Sequence, residues 1–359
     1  MDTDFWKNKK VFITGNTGFK GSWLTLWLLK MGSQVSGYSL APPTTPSLYD
    51  ISNLDKEIFT SINNIQSFPH LSQALEESNP DIIIHMAAQP LVRESYTNPL
   101  ETYSTNFIGT LNLLESIRIL NQKKSKKRVV INVTTDKCYD NKEWHWSYRE
   151  NDTLGGYDPY SNSKACSELL TSSYRTSFFN VDSFEKHGVL LASARAGNVI
   201  GGGDWAKDRL IPDCIKNLLN NESILIRNPS SIRPWQHVLE PLNGYLLLAQ
   251  TMYEKGTNFA EAWNFGPNDE DAQPVEWIVK KVCNLWGQNA SYKIINSDNP
   301  VHEAHYLKLD CSKAKNELKW YPRWNIETAL EKVVDWNKEY LDNRDIQNYC
   351  LKQIESYSL

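Results

Sequence analysis

Gly15, Gly18 and Gly21 stand where an apolar run meets a helical pattern, and no other feature of the sequence restricts the fold as strongly. Residues 11–14 read as a strand, and Phe19–Lys30 as a helix with Trp23, Leu24, Trp27 and Leu28 on one face. In such a turn the first glycine permits the sharp bend. The second lets a pyrophosphate approach the backbone, and the third lets the helix pack closely on the strand. The helix start then offers free N–H groups and a partial positive charge to phosphate. A glycine triad alone is weak evidence. The strand–turn–helix setting about ten residues from the first Met points to dinucleotide binding rather than to a merely structural tight turn.

The next two hundred residues extend the pattern. Apolar strand-like runs at 34–38, 81–86, 128–134 and 189–195 alternate with helical stretches at 70–78, 103–120 and 160–177. Ile82, Ile83 and Ile84 in a row describe a strand buried on both faces. The expected class is α/β: a Rossmann-like, doubly wound parallel sheet with a smaller, mixed α/β C-terminal substrate-binding domain. Past Ile200 the pattern becomes irregular and rich in Pro, Trp and Asn. The division expected is a dinucleotide domain at 1–200, with part of 236–265 returning to it, and a substrate domain at 201–235 and 266–340. A polar tail at 341–359 is expected to fray.

Composition excludes several classes. The net charge of −4 leaves no basic excess for nucleic acid or anionic membranes. Cys138, Cys166, Cys214, Cys283, Cys311 and Cys350 form no CxxC pair and lie near no His at ligand spacing, so no metal is expected and reduced thiols are. The polar start and the short, glycine-broken apolar run behind it match neither a signal segment nor a membrane span, which favours the cytoplasm. The basic run 123–128 reads as a solvated loop.

Tyr160 and Lys164, four apart on a helical stretch, share a face. An ammonium beside a phenol lowers its pKa from about 10, so the pair can take a proton from a substrate hydroxyl. Thr134, Thr135, Asp136 and Lys137 close the preceding strand, at the sheet edge where ligands bind. There a hydroxyl can orient substrate and a carboxylate can act as a general acid. The end of the second strand offers Gly37, Tyr38 and Ser39, with no carboxylate for an adenosine ribose and no Arg or Lys for a 2′-phosphate. NAD is expected over NADP, weakly held and exchangeable.

The GxxGxxG spacing resembles the extended short-chain dehydrogenases/reductases, and the run from Thr135 to Tyr139 with Tyr160 and Lys164 resembles the nucleotide-sugar 4,6-dehydratases. Most of those carry Asp-Glu where this chain has Asp136-Lys137, and the CDP-glucose branch is the one that resembles the Asp-Lys variant. Further matches run through 85–90, 195–205, 208–212, 232–238 and 302–307, so the resemblance covers nearly the whole chain from Phe5 to about Trp336. It implies an NAD site at Gly15, Asn16, Thr17, Gly18, Phe19, Lys20, Gly21, Tyr38, Asn64, Ile65, Ala87, Ala88, Gln89, Asn106, Val133, Tyr160 and Lys164. Asn64 stands where relatives often carry Asp. A substrate site at Gln89, Asn198, Arg209, Leu210, Arg227, Arg233, His237, His302 and Tyr306 is implied, with Asn198 on the diphosphate and Arg209 and Arg233 as a cationic clamp. His237 reads equally well as a core histidine.

The resemblance further implies a lyase acting on a nucleotide sugar, CDP-glucose. C4 is oxidised against NAD, water is eliminated across C5–C6, and the hydride returns to C6. Thr135, Asp136, Lys137, Tyr160 and Lys164 would carry the chemistry, with Asp136 protonating the departing 6-hydroxyl. Lys137 would be either a base of lowered pKa or a stabiliser of the enolate, and the sequence leaves both open. It also implies a homodimer, packed through residues 99–120 and 160–177, with a higher oligomer left open, and a product used in dideoxysugar synthesis for bacterial O-antigen. A 4-epimerase on the same scaffold, an ordinary alcohol dehydrogenase, and a silent NAD-binding protein are the alternatives. An epimerase would leave Asp136-Lys137 idle, a dehydrogenase would accumulate NADH, and a silent binder has no need of the Tyr–Lys pair.

Overall fold

The computed structural model describes residues 2–287, 289–295 and 306–358. Seven parallel strands form its main sheet: β1 (Lys10–Thr14), β2 (Gln34–Ser39), β3 (Phe59–Ile62), β4 (Ile82–His85), β5 (Arg128–Val133), β6 (Val189–Ala196) and β7 (Ala262–Phe265). Their order across the sheet is β7-β6-β5-β4-β1-β2-β3. Ile13 pairs with Gly37 on one side and with Ile84 on the other. The winding therefore reverses between β1 and β4, and a crevice opens there beyond the strand C-termini.

The strands are apolar on both sides because both sides are covered. Val11, Ile13, Ile82, Ile84, Val129 and Ile131 face one core, which includes Trp23, Leu24 and Trp27 of α1 (Phe19–Lys30). Phe12, Ile83 and Val130 face the other, beneath α2 (Phe68–Ser78), α3 (Gly109–Lys123) and α4 (Pro159–Ser177). α4 starts where it does because Pro159 occupies its first turn and Asp158 caps it, accepting from the Ser161 N–H at 2.9 Å. A second, separate core joins α5 (Leu210–Leu219), Ile224–Ile226, α7 (Val275–Trp286) and α8 (Ile326–Leu341). Between α5 and α7 lies α6 (Leu239–Lys255), which packs on the main sheet and leads to β7.

Three details differ from the sequence expectation. β3 is an exposed edge strand, with Phe59 72% and Ile62 53% accessible, and its four residues show no apolar alternation. The helix expected over 103–120 is broken into Pro99–Tyr103, a π-turn at Ser104–Ile108, and α3. Finally, the tail does not fray. α9 (Ile346–Ser358) buries Ile346, Cys350, Ile354 and Tyr357, spaced four, four and three residues apart. Tyr357 packs edge-on against Trp27 of α1 and donates to the Glu240 carboxylate at 2.6 Å. The frequent polar residues of α9 hid a regular apolar stripe.

Candidate active site

A cavity of about 1030 Å³ opens at the crevice between β1 and β4 and extends under the second core. That is the upper end for small-molecule sites, roughly 300–1,000 Å³. The glycine turn forms one wall. Gly15 has φ +78°, and a Cβ there would lie 2.8 Å from the Ala87 nitrogen. At Gly21 a Cβ would lie 2.2 Å from the Gly15 carbonyl oxygen, so helix and turn touch only because the side chain is absent. No side chain caps α1 at Gly18 and its first turn carries no acid, which leaves its N–H groups and dipole facing the cavity.

Thr17, Phe19, Lys20, Tyr38, Asn64, Ile65, Ala87, Ala88 and Val133 line the same cavity as the three glycines. Beneath them Thr14 accepts from the Met86 and Ala87 N–H groups at 3.1 Å, so its own hydroxyl proton goes to His85 Nδ1 at 2.6 Å. The other ring nitrogen of His85 then donates to Thr110 at 3.1 Å. Burial, reinforced by the charge of Lys164, holds His85 down at about 3, so it is a neutral strut under the turn. Two of these features fit a dinucleotide, the donor-rich turn for pyrophosphate and the amide-bearing rim at Asn63 and Asn64, while the end of β2 offers the ribose no carboxylate.

Thr135, Asp136, Lys137, Tyr160 and Lys164 are brought together on the opposite wall. Lys164 donates to the Val133 carbonyl at 3.2 Å, and burial lowers it to about 8 against the opposing pull of Glu168. Lys20 is lowered to about 8 by burial and by the charges of Arg209 and Lys164. Tyr160 behaves differently from the expected lowering. Its enclosed setting pushes the phenol up to about 12, with a Thr135 hydrogen bond opposing, and Lys164 is not a leading influence on it in this state. Asp136 is 1% exposed. Its Oδ1 accepts from Thr135 at 3.0 Å while its Oδ2 has no partner. Burial pushes its carboxyl up, and Lys137, Thr135, Arg233 and Lys20 oppose that only in part. A carboxyl shifted toward its protonated form, with one free oxygen beside a cavity, is what a general acid needs.

Asn198, Arg209, Leu210, Arg227 and Arg233 line the far part of the cavity. Asp204, which sequence patterning did not single out, holds Arg209 at 2.9 Å. Arg93 and Asp208 meet at 3.3 Å on the rim. Asp204, Asp208 and Arg209 sit outside helix and strand, where no periodicity marks them.

Five expected site residues lie elsewhere. Asn16 turns away from the cavity, donates to Thr60 at 2.8 Å, and fills the space left by Gly37. The Asn106 side chain accepts from the Gln89 N–H and donates to the Gln89 carbonyl and to Ser163, while the Gln89 side chain donates to Thr102, so the two brace the cavity wall from behind. His237 is fully buried between Trp23 and Trp324, which makes it the core histidine of its two readings. Tyr306 packs on His145 outside the cavity. His302 lies outside the described residues.

Against known families, residues 12–333 match the one described as GDP-mannose 4,6 dehydratase. The chain belongs to that family. A CDP-glucose 4,6-dehydratase of Salmonella typhimurium is 55% identical over 357 residues, 99% of this chain and 98% of its relative. Among solved structures, a UDP-glucuronic acid 4-epimerase from Bacillus cereus, in complex with UDP-glucuronic acid and NAD, superposes with a TM-score of 0.77 at 22% identity, covering 92% of this chain and 99% of that one. A dTDP-glucose 4,6-dehydratase from Bacillus anthracis, in complex with NAD, gives a TM-score of 0.74 at 20% identity, covering 94% and 99%. At these identities the two structures speak for the fold. It is the extended Rossmann fold of nucleotide-sugar dehydratases and epimerases.

Proposed function

We propose that this chain converts CDP-D-glucose to CDP-4-keto-6-deoxy-D-glucose and water, as an NAD-dependent hydro-lyase. The observation that carries the reading is the 55% identity, end to end, with a CDP-glucose 4,6-dehydratase. The site agrees: one cavity holds a Tyr–Lys pair and a raised carboxyl, as an oxidation followed by an elimination requires. A 4-epimerase would leave Asp136 without a task.

Bound at the glycine turn, NAD would supply a reversible two-electron acceptor for the hydride of C4 that is later given back to C6, and a positive charge. Tyr160 takes the proton of the 4-hydroxyl. Lys164 fixes the wall beside it and offers its ammonium to the ribose. Once C4 is a ketone, C5–H is acidified, and Asp136 delivers its proton to the departing 6-hydroxyl so that it leaves as water. Lys137, whose backbone N–H is held by Thr135 at 3.3 Å, either removes the C5 proton or stabilises the enolate. Asn198, Arg209 and Arg233 meet the diphosphate, and Leu210 and Arg227 lie toward the base.

By this reading, residues 1–200 with part of 236–265 bind NAD, and 201–235 with 266–340 bind the nucleotide sugar. The enzyme is a cytoplasmic homodimer whose product enters dideoxysugar synthesis for bacterial O-antigen. No helix among the described residues is long and apolar enough to cross a membrane. Support for the homodimer is a set of exposed apolar side chains, Leu100, Ile108 and Leu169, along Pro99–Tyr103, the π-turn and α4.

The test is mass spectrometry of separate CDP-, dTDP-, GDP- and UDP-glucose reactions with added NAD, with nicotinamide absorbance followed. Loss of one water from CDP-glucose alone, without accumulation of reduced cofactor, is expected. Unchanged mass with an altered sugar would replace the reading with epimerisation.

A further inference from the structure

Behind the cavity wall lies a buried ion pair that the proposed chemistry leaves without a task. Glu168 follows Lys164 by four residues on α4 and Tyr160 by eight, along one side of the helix. Its carboxylate faces Arg195 of β6 at 2.9 Å, with side chains 2% and 3% exposed. Neither residue lines the cavity. Burial pushes the Glu168 carboxyl up, but the Arg195 charge and the hydrogen bonds of Arg195, Thr134 and Ser193 outweigh it, so the group stays ionised. A buried pair is a poor source of stability, which turns attention to what it orients.

Glu168 accepts from the Thr134 hydroxyl. Arg195 donates to the Tyr139 phenol oxygen at 2.7 Å and to the Glu150 carbonyl at 2.9 Å, and its guanidinium lies over the Tyr139 ring. Tyr139 is held in turn by Asn264 of β7 at 2.7 Å. Thr134 and Tyr139 are the two ends of the short segment carrying Thr135, Asp136 and Lys137. One ion pair therefore grips that segment at both ends and is rooted in the helix that carries Tyr160 and Lys164.

Two proton transfers at different carbons of one sugar demand that these two elements keep register. Misplacement by about 1 Å can cost on the order of 100-fold in rate. We propose that Glu168 and Arg195 are positioning residues that hold the acid-bearing turn in register with Tyr160, coupling elimination across C5–C6 to oxidation at C4; the inference rests on the dehydratase reading above. Without that register the first half still proceeds. The C4–H and O–H bonds break, two electrons reside on the cofactor and the proton on Tyr160, while the C6–O bond stays intact.

Glu168→Gln keeps the shape and the acceptor for Thr134 and removes the charge facing Arg195. Thr134→Val and Tyr139→Phe each remove one grip and leave the pair intact. The three are compared with the wild type for water loss from CDP-glucose, for reduced-nicotinamide absorbance during turnover, and for NAD binding by titration. In Glu168→Gln water loss slows on the order of 100-fold and reduced cofactor accumulates toward one per site; because Glu168 also opposes the lowering of Lys164, unchanged NAD binding is the criterion for Thr134→Val and Tyr139→Phe. The milder variants show the same accumulation with about tenfold slower water loss, and they decide the matter if Glu168→Gln does not fold. Slowing without accumulation, or no slowing, in variants of an active wild type overturns the positioning role. A wild type that leaves CDP-glucose intact instead removes the dehydratase reading on which the role depends.

Discussion

Asp136 and Tyr160 share a cavity, and the same burial acts on both groups with different consequences. For the carboxyl, an upward shift favours the protonated form that an acid must have at the start. For the phenol, a pKa of about 12 keeps it protonated until cationic charge arrives beside it. The two roles separate experimentally. Tyr160→Phe is expected to abolish both reduced-nicotinamide formation and water loss, by a factor of about 10²–10⁴. Asp136→Asn is expected to lose water release on the same scale while reduced cofactor still forms, which stopped-flow absorbance with mass analysis distinguishes. Residue types and spacing marked these groups as candidates because acid, phenol and ammonium sit within short motifs. The same reasoning put Asn16, Gln89 and Asn106 on the cavity, whose lining does not include them. Their motif lies at the cavity, but side-chain direction is set by neighbours such as Gly37 and Ser163 that no local pattern names.

At the level of elements, the strand–glycine–helix unit determines the cavity. A methyl group at Gly21 would lie 2.2 Å from the Gly15 oxygen and 2.6 Å from the Asn16 Cα, with backbone on both sides and nothing flexible to yield. Gly21→Ala should therefore lower stability by at least about 1–3 kcal/mol, read as a fall in Tm, and should weaken NAD binding in parallel. The parallel sheet was legible because its strands are apolar on two faces, as Ile82–His85 and Arg128–Val133 show. β3 was not, because an exposed edge strand has no face to bury. The π-turn at Ser104–Ile108 escaped for a different reason. One extra residue in a helix leaves composition unchanged but rotates Asn106 toward Gln89 and Ser163.

Across the whole molecule, α9 closes the structure by seating Tyr357 on Glu240, which also accepts from the Arg323 and Trp324 N–H groups at 3.1 Å and 2.7 Å. Burial raises Glu240 to about 7 from 4.5, with Tyr357 opposing. A carboxyl whose folded pKa is raised contributes stability that is full below about 4.5 and is lost as pH rises through about 7. That contribution is on the order of 3 kcal/mol. Glu240→Gln should flatten the fall of Tm across that window, measured by calorimetry at several pH values. Leu169, 58% exposed on α4, belongs to the proposed dimer face. Leu169→Glu should give a monomer by light scattering if that face is the interface. The sequence by itself determined the α/β class with its parallel sheet and the glycine turn, and it marked the candidate acid, phenol and ammonium, since each rests on local periodicity or on a few adjacent residues. Only the tertiary structure decided that Asp136 is desolvated with one free oxygen, that Glu168 and Arg195 meet behind it, and that a polar tail docks as a helix. Those outcomes depend on contacts between segments far apart in the chain, which no local pattern encodes.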